Sequence, residues 1–198
     1  MSPNNPNPTE DLLRSVAQIN ATDDIDFVLV TGDITEEGDR ASMEKVKSCL
    51  DLLKVKYYVA LGNHETKWSD SGCTAFGEIF GSERFEFEHK GFLFLGFNSG
   101  PLMRMAYGHV VPQDIRWMTE RMEQAGKDKP VILVTHYPLK DGDVDNWYEV
   151  TDAVRPYNLL VFFGESKFAC LSEVFVKSEF GSCLKKIVNF STDFKESV

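Results

Sequence analysis

No apolar run in this chain approaches the length of about 18 residues that a membrane-spanning helix needs, so a membrane span is not expected. Positive charge is in deficit: 21 Lys and Arg stand against 31 Asp and Glu, a formal net charge of −10. That balance argues against non-specific nucleic-acid binding, which needs a basic face to meet the phosphate backbone. The four cysteines form no Cys-x-x-Cys, which argues against a zinc ribbon or a thioredoxin-like site. Cys49 falls on the apolar side of a helix and reads as core, Cys73, Cys170 and Cys183 read as unpaired, and the count does not decide the compartment. There is no Gly-x-Ser-x-Gly and no P-loop, so neither a nucleophile elbow nor a Walker-type phosphate cradle is expected. Met1 to Glu10 is polar and rich in Pro and Asn, unlike a signal peptide. The chain reads as soluble, and a leader is expected only if the start lies upstream of Met1.

At 198 residues with 42% hydrophobic content, the natural expectation is one domain with an ordinary core. Thr9 is placed to cap a helix whose apolar residues are Leu12, Leu13, Val16 and Ile19. The strand Asp26 to Thr31 follows, then a helix carrying Met43, Val46, Leu50 and Leu53 on one face, then the strand Tyr57 to Leu61. This βαβ alternation predicts a parallel sheet. Trp68 to Gly81 reads as a long loop. Phe85 to Glu88 and Phe92 to Phe97 read as a hairpin turning at Lys90-Gly91. Pro112 opens a helix stopped by Gly126, and the strand Val131 to Val134 comes next. A helix over Trp147 to Val154 and a strand over Leu159 to Phe163 complete the pattern. Phe168 to Val198 has no clear period.

Three of these strands run into groups that carry chemistry. Asp33 follows the first in Gly32-Asp33. Asn63 and His64 follow the second in Gly62-Asn63-His64-Glu65. His136 follows the third in Thr135-His136-Tyr137-Pro138. Open α/β sheets place their ligand site outside the carboxyl ends of their strands, so the three ends aim at one crevice. Asp, Asn and His are oxygen and imidazole donors suited to Mn, Fe or Zn. Gly32-Asp33 alone also fits a turn, Asn63 and His64 a tight turn with a surface His, and His136 a satisfied core residue; the three in order favour chemistry. Glu65 reads as structural. His89 reads as solvent-exposed, His109 as a loop residue, and Asn98 as a hydrogen-bonding support behind the ligands.

Together these motifs resemble the calcineurin-like metallophosphoesterase family from about Asn4 to about Gly164. The resemblance implies a β-sandwich flanked by helices in four αββα layers, here incomplete at both termini, with residues 1–164 as the domain and 165–198 as an unassigned tail. It implies a phosphoester substrate, mono- or diester, attacked in line by a hydroxide that bridges two divalent metals. By resemblance Asp33 would bridge the metals, Asn63 and His136 would bind the second, and His64 would contact the substrate or protonate the leaving oxygen. The family's opening Asp-x-His has no counterpart before Gly32. Its closing Gly-His-x-His is replaced by Gly164-Glu165-Ser166-Lys167. Asp33 is then the only familiar donor left to the first metal, so the chain holds two only if another ligand, such as Glu165, takes part. The competing expectation is a non-catalytic or fragmentary domain serving as an interaction scaffold or without function.

Overall fold

The computed structural model describes residues 7–103, 105–163 and 188–189. Its order is α1 (Pro8–Ala21), β1 (Phe27–Val30), α2 (Arg40–Leu50), β2 (Lys56–Val59), α3 (Asn63–Thr66), α4 (Thr74–Phe80), β3 (Phe85–His89), β4 (Phe92–Gly96), α5 (Pro112–Ala125), β5 (Val131–Thr135), α6 (Trp147–Val154), β6 (Leu159–Phe163) and β7 (Val188–Asn189). The strands form two sheets, ordered β2-β1-β7 and β3-β4-β5-β6. β1 pairs in parallel with β2 and β7, β3 with β4 antiparallel, and β4-β5-β6 in parallel. Two residues of the 165–198 stretch therefore extend the first sheet.

The layering follows from the two-residue period of a strand, which sends successive side chains to opposite faces. In β1, Val28 and Val30 join Leu12, Val16, Ile19, Met43 and Leu50 from α1 and α2, and Phe76 from α4, in one core. Phe27 and Leu29 turn the other way and meet Phe94, Ile132 and Val134 of the second sheet. In β4 and β5, Leu93, Leu95, Val131 and Leu133 face Met118, Met122 and Val150 of α5 and α6. β1, β4 and β5 are buried on two faces, hence their unbroken apolar runs. The result is the four-layer αββα sandwich expected. Its centre is aromatic: Tyr58, Phe87 and Phe94 stack with centroid distances of 3.8 and 4.5 Å, and Phe27 meets Phe87 edge-on at 4.9 Å.

Local expectations fared unevenly. The helix over Trp147–Val154, the hairpin and the Pro112 helix ending before Gly126 are present as read. Trp68 to Gly81, read as loop, contains α4. Seven residues are too few to display a period, yet Ala75 and Phe76 are buried and Gly81 closes the helix in the left-handed region. α1 starts after Asn7, not Thr9, with Pro8 in its first turn. His89 is only partly exposed: its Nε2 lies 3.1 Å from an Asp26 oxygen and its ring meets Phe27 at 5.0 Å. Among the described residues no helix is long and apolar enough to cross a membrane.

α2 depends on one cap. The Asp39 carboxylate accepts from the Ser42 backbone N–H at 2.9 Å. Hydrogen bonding from the Ser42 side chain, then from its backbone N–H, holds the Asp39 carboxyl below the usual range. Asp39→Ala is expected to cost about 1 kcal/mol. A depressed folded pKa means that the contribution is present above the unfolded value near 3.8 and is lost as pH falls through the folded value. Urea unfolding of both proteins should therefore show the gap at pH 7 and lose it in acid.

Candidate active site

The site lies where the carboxyl ends of both sheets meet. After β1 the chain turns through Gly32 at φ 102° and Asp33 at φ 51°, a left-handed conformation uncommon outside glycine and favoured at functional sites. After β2, Gly62 leads directly into α3, so Asn63 and His64 stand in its first turn. After β5 comes His136, from the other sheet. The backbones touch here. A Cβ on Gly62 would fall 2.1 Å from the Asp33 nitrogen, and one on Gly32 would fall 2.7 Å from Gly62 and from His136 Nδ1. Only hydrogen at both positions lets the three ends converge.

Asp33, Asn63 and His136 come together. His136 is buried and its Nδ1 lies 2.7 Å from the Thr31 carbonyl. A carbonyl only accepts, so Nδ1 carries the proton and turns Nε2 inward. Nε2 is 3.3 Å from Asp33 Oδ1 and 3.1 Å from Asn63 Oδ1. Both oxygens are acceptors. The cluster thus needs a positive charge at its centre, either a proton on Nε2 or a cation shared by all three atoms. Burial pushes the Asp33 carboxyl up, but the hydrogen bond and charge of His136, with His64, outweigh it and hold the group below its ordinary value.

His64 joins the same group from its own side. Its backbone N–H donates to Asp33 Oδ1 at 3.2 Å. Its Nδ1 donates to the Glu36 carbonyl at 2.5 Å, which leaves Nε2 3.9 Å from Asp33 Oδ2. Glu65 ties the loops together from below. It is fully buried and accepts from the Thr35 N–H at 3.0 Å, the Thr35 hydroxyl at 2.9 Å and the Gly62 N–H at 3.1 Å. Thr31, Thr35 and Glu36 act here through backbone groups or a hydroxyl, and no motif points to them beyond their closeness to Gly32-Asp33.

The remaining candidates are placed less centrally. Asn98 is buried beside the site, and its Oδ1 accepts from the Gly100 N–H at 2.8 Å. His109 pairs with Asp145 at 2.7 Å. Glu165 and the Gly164-Glu165-Ser166-Lys167 segment lie outside the described residues.

Among the described residues no group of three or more His, Cys, Asp or Glu side chains is arranged to hold a metal ion. The set at the crevice has one carboxylate and one inward imidazole, with an amide oxygen as its third donor. Its spacing suits an ion: donors about 2.1 Å from one metal at right angles lie about 3.0 Å apart, against 3.1 and 3.3 Å here. The imidazole held through its other nitrogen by a backbone carbonyl is the usual support of a metal-binding His.

A four-layer αββα sandwich with Asp, Asn and His gathered past its strand ends is an α/β protein with a crevice site of the strand-end type. Residues 5–164 match the calcineurin-like phosphoesterase family, and the chain belongs to it. Similar proteins include the uncharacterized protein YvnB of Bacillus subtilis, 28% identical over 60% of this chain and 10% of its own length. A 3′,5′-cyclic-nucleotide phosphodiesterase of Nostoc is 24% identical over 59% of this chain and 42% of its own length. A probable glycerophosphodiester phosphodiesterase of Arcobacter nitrofigilis is 26% identical over 61% and 46%. The matched region spans less than half the length of each of these relatives.

Proposed function

We propose that this chain hydrolyses a phosphodiester with the help of a divalent cation held by Asp33, Asn63 and His136. The observation that carries the reading is that Asn63 Oδ1 and Asp33 Oδ1, from the first sheet, lie 3.1 and 3.3 Å from His136 Nε2, from the second. Two relatives whose names specify phosphodiesters favour that ester class over monoesters. The residues that carry the reaction in this reading lie within 1–164, while Val188–Asn189 of the 165–198 stretch pairs with β1 of the same domain.

A divalent cation held there supplies Lewis acidity, lowering the pKa of water and offsetting charge on phosphoryl oxygens. Asp33 brings the negative charge that favours a cation, Asn63 adds a neutral oxygen, and Thr31 holds His136 with its lone pair inward. His64, anchored on the Glu36 carbonyl through Nδ1–H, presents Nε2 beside Asp33 and in its imidazolium form would donate the Nε2 proton to the departing oxygen, leaving a neutral ring. Manganese, iron and zinc all suit this donor set.

A second reading has one observation in its favour. The described donors suffice for one cation where the family resemblance implies two, so a non-catalytic domain serving as a scaffold is the competing reading. Turnover separates the two. The purified chain is assayed on bis(p-nitrophenyl) phosphate and p-nitrophenyl phosphate after chelation and after Mn²⁺ is returned. The proposal expects diester hydrolysis that disappears with chelation and returns with Mn²⁺. Absence of turnover at every Mn²⁺ concentration supports the scaffold.

A further inference from the structure

We propose that the Lys67 ammonium binds the phosphoryl oxygens of the substrate beside the proposed cation. Lys67 continues the turn of α3. Its backbone is right-handed helical at φ −73° and ψ −41°, and its N–H donates to the Asn63 carbonyl at 2.8 Å. It follows Asn63 by four residues and His64 by three, the two spacings that make side chains neighbours on one helix face. The other faces of α3 are occupied. Glu65 and Thr66 are buried. A Cβ on Gly38 would fall 3.2 Å from the Glu65 Cα, and one on Gly100 would fall 3.1 Å from Thr66 Oγ1. Helical side chains lean back over the turn that precedes them. The Lys67 stem therefore starts above the turn that carries Asn63 and His64.

Its charge sets it apart. Among the described residues five Lys and Arg are half-buried. Lys47, Arg84, Arg121 and Lys129 each pair with a carboxylate. Lys67, the fifth, forms no ion pair among the described residues, in a chain with 31 acidic residues. Taking an ammonium partly out of water without a counter-charge is costly, and an anion that arrives with the substrate removes that cost. The ammonium lies 5.3 Å from the centroid of the Trp68 ring, which is exposed. That attraction is weak at an exposed ring and leaves the three N–H donors of the ammonium to a stronger acceptor. A diester phosphoryl group carries one negative charge on two unesterified oxygens, and lysine meets such oxygens as a point charge.

The inference rests on the proposed function for the phosphoryl group and adds a residue that touches it. Its test reads binding, so it stands or falls apart from turnover. Dimethylphosphinate presents two phosphoryl oxygens and has no ester bond to break. It is titrated calorimetrically, in the presence of Mn²⁺, into the wild type, Lys67→Met, Lys67→Arg and Lys56→Met. Lys56 is exposed and opens β2, at the end of the strand away from the site, so its variant controls for the loss of one charge. Lys67→Met should bind about tenfold more weakly than the wild type, the scale of one charge-assisted hydrogen bond. Lys67→Arg keeps the charge and should recover most of that loss, and Lys56→Met should match the wild type. Mn²⁺ affinity should be the same in all four. No binding by the wild type, unchanged binding in Lys67→Met, an equal loss in Lys67→Arg or in Lys56→Met, or weakened Mn²⁺ binding in Lys67→Met would each overturn the inference. Failure of the proposed function is seen separately, as absence of diester turnover.

Discussion

Asp33→Asn is expected to lower turnover by about a thousandfold, the scale of losing a main electrostatic contributor in a dry site, while leaving the chain folded. The substitution keeps the side-chain shape and tolerates the left-handed backbone at φ 51°, since Asn is among the few residues that accept it. What changes is charge. Asp33 is the one carboxylate of the donor set, and its side chain is only 8% exposed. Without it the set is neutral, and the affinity for a divalent cation falls. The Oδ1 that accepts from the His64 N–H can be retained by the amide, so α3 keeps its place. Steady-state assays with rising Mn²⁺ check the expectation, and circular dichroism confirms the fold. Turnover within tenfold of wild type would remove Asp33 from the site.

Glu65→Ala is expected to cost about 3–4 kcal/mol of stability, because buried donors left without acceptors cost about 1–3 kcal/mol each. Three donors lose their partner: the Gly62 N–H, the Thr35 N–H and the Thr35 hydroxyl. Thr35 is half-buried and regains part of its loss from water, which keeps the total below the sum. The damage is functional too, because Thr35 and Gly62 belong to the two loops that carry Asp33 and Asn63. Burial, then the nearby charge of Asp33, raises the Glu65 carboxyl above its ordinary 4.5, partly offset by the hydrogen bonds from Thr35. A raised folded value means that the folded chain holds its proton longer than the unfolded chain does. Glu65's contribution is therefore complete below 4.5 and declines as pH rises through the folded value. The stability of the wild type relative to Glu65→Gln should fall over that rise in urea denaturation. A loss under 1 kcal/mol for Glu65→Ala would show that the loops are held by other contacts.

Much of the fold was legible because its strands are buried on both faces and so read as short apolar runs with glycine at their ends. The turn chemistry of Lys90-Gly91 and Pro112 marked the hairpin and α5. α4 was hidden by its brevity. His89 looked exposed because its partner, Asp26, lies 63 residues away. The same distance problem limits the site. The motifs showed which side chains follow which strands, yet the bond from His136 to Thr31 spans 105 residues and two sheets. Likewise nothing local shows that Glu65 accepts from Thr35, or that the glycines at 32 and 62 touch. Such contacts follow from the sheet stacking, and spacing along the chain does not encode them.

The most direct test of the shared cation site is Mn²⁺ binding, measured by electron paramagnetic resonance on the wild type and on His136→Ala. Protons compete with metal for an imidazole nitrogen, so the titration is run at pH 8. One Mn²⁺ bound per chain by the described donors, with affinity reduced about a hundredfold or more in His136→Ala, is the predicted result. Failure of the wild type to bind Mn²⁺, or equal affinity in both proteins, would contradict the assignment of Asp33, Asn63 and His136 as one metal site.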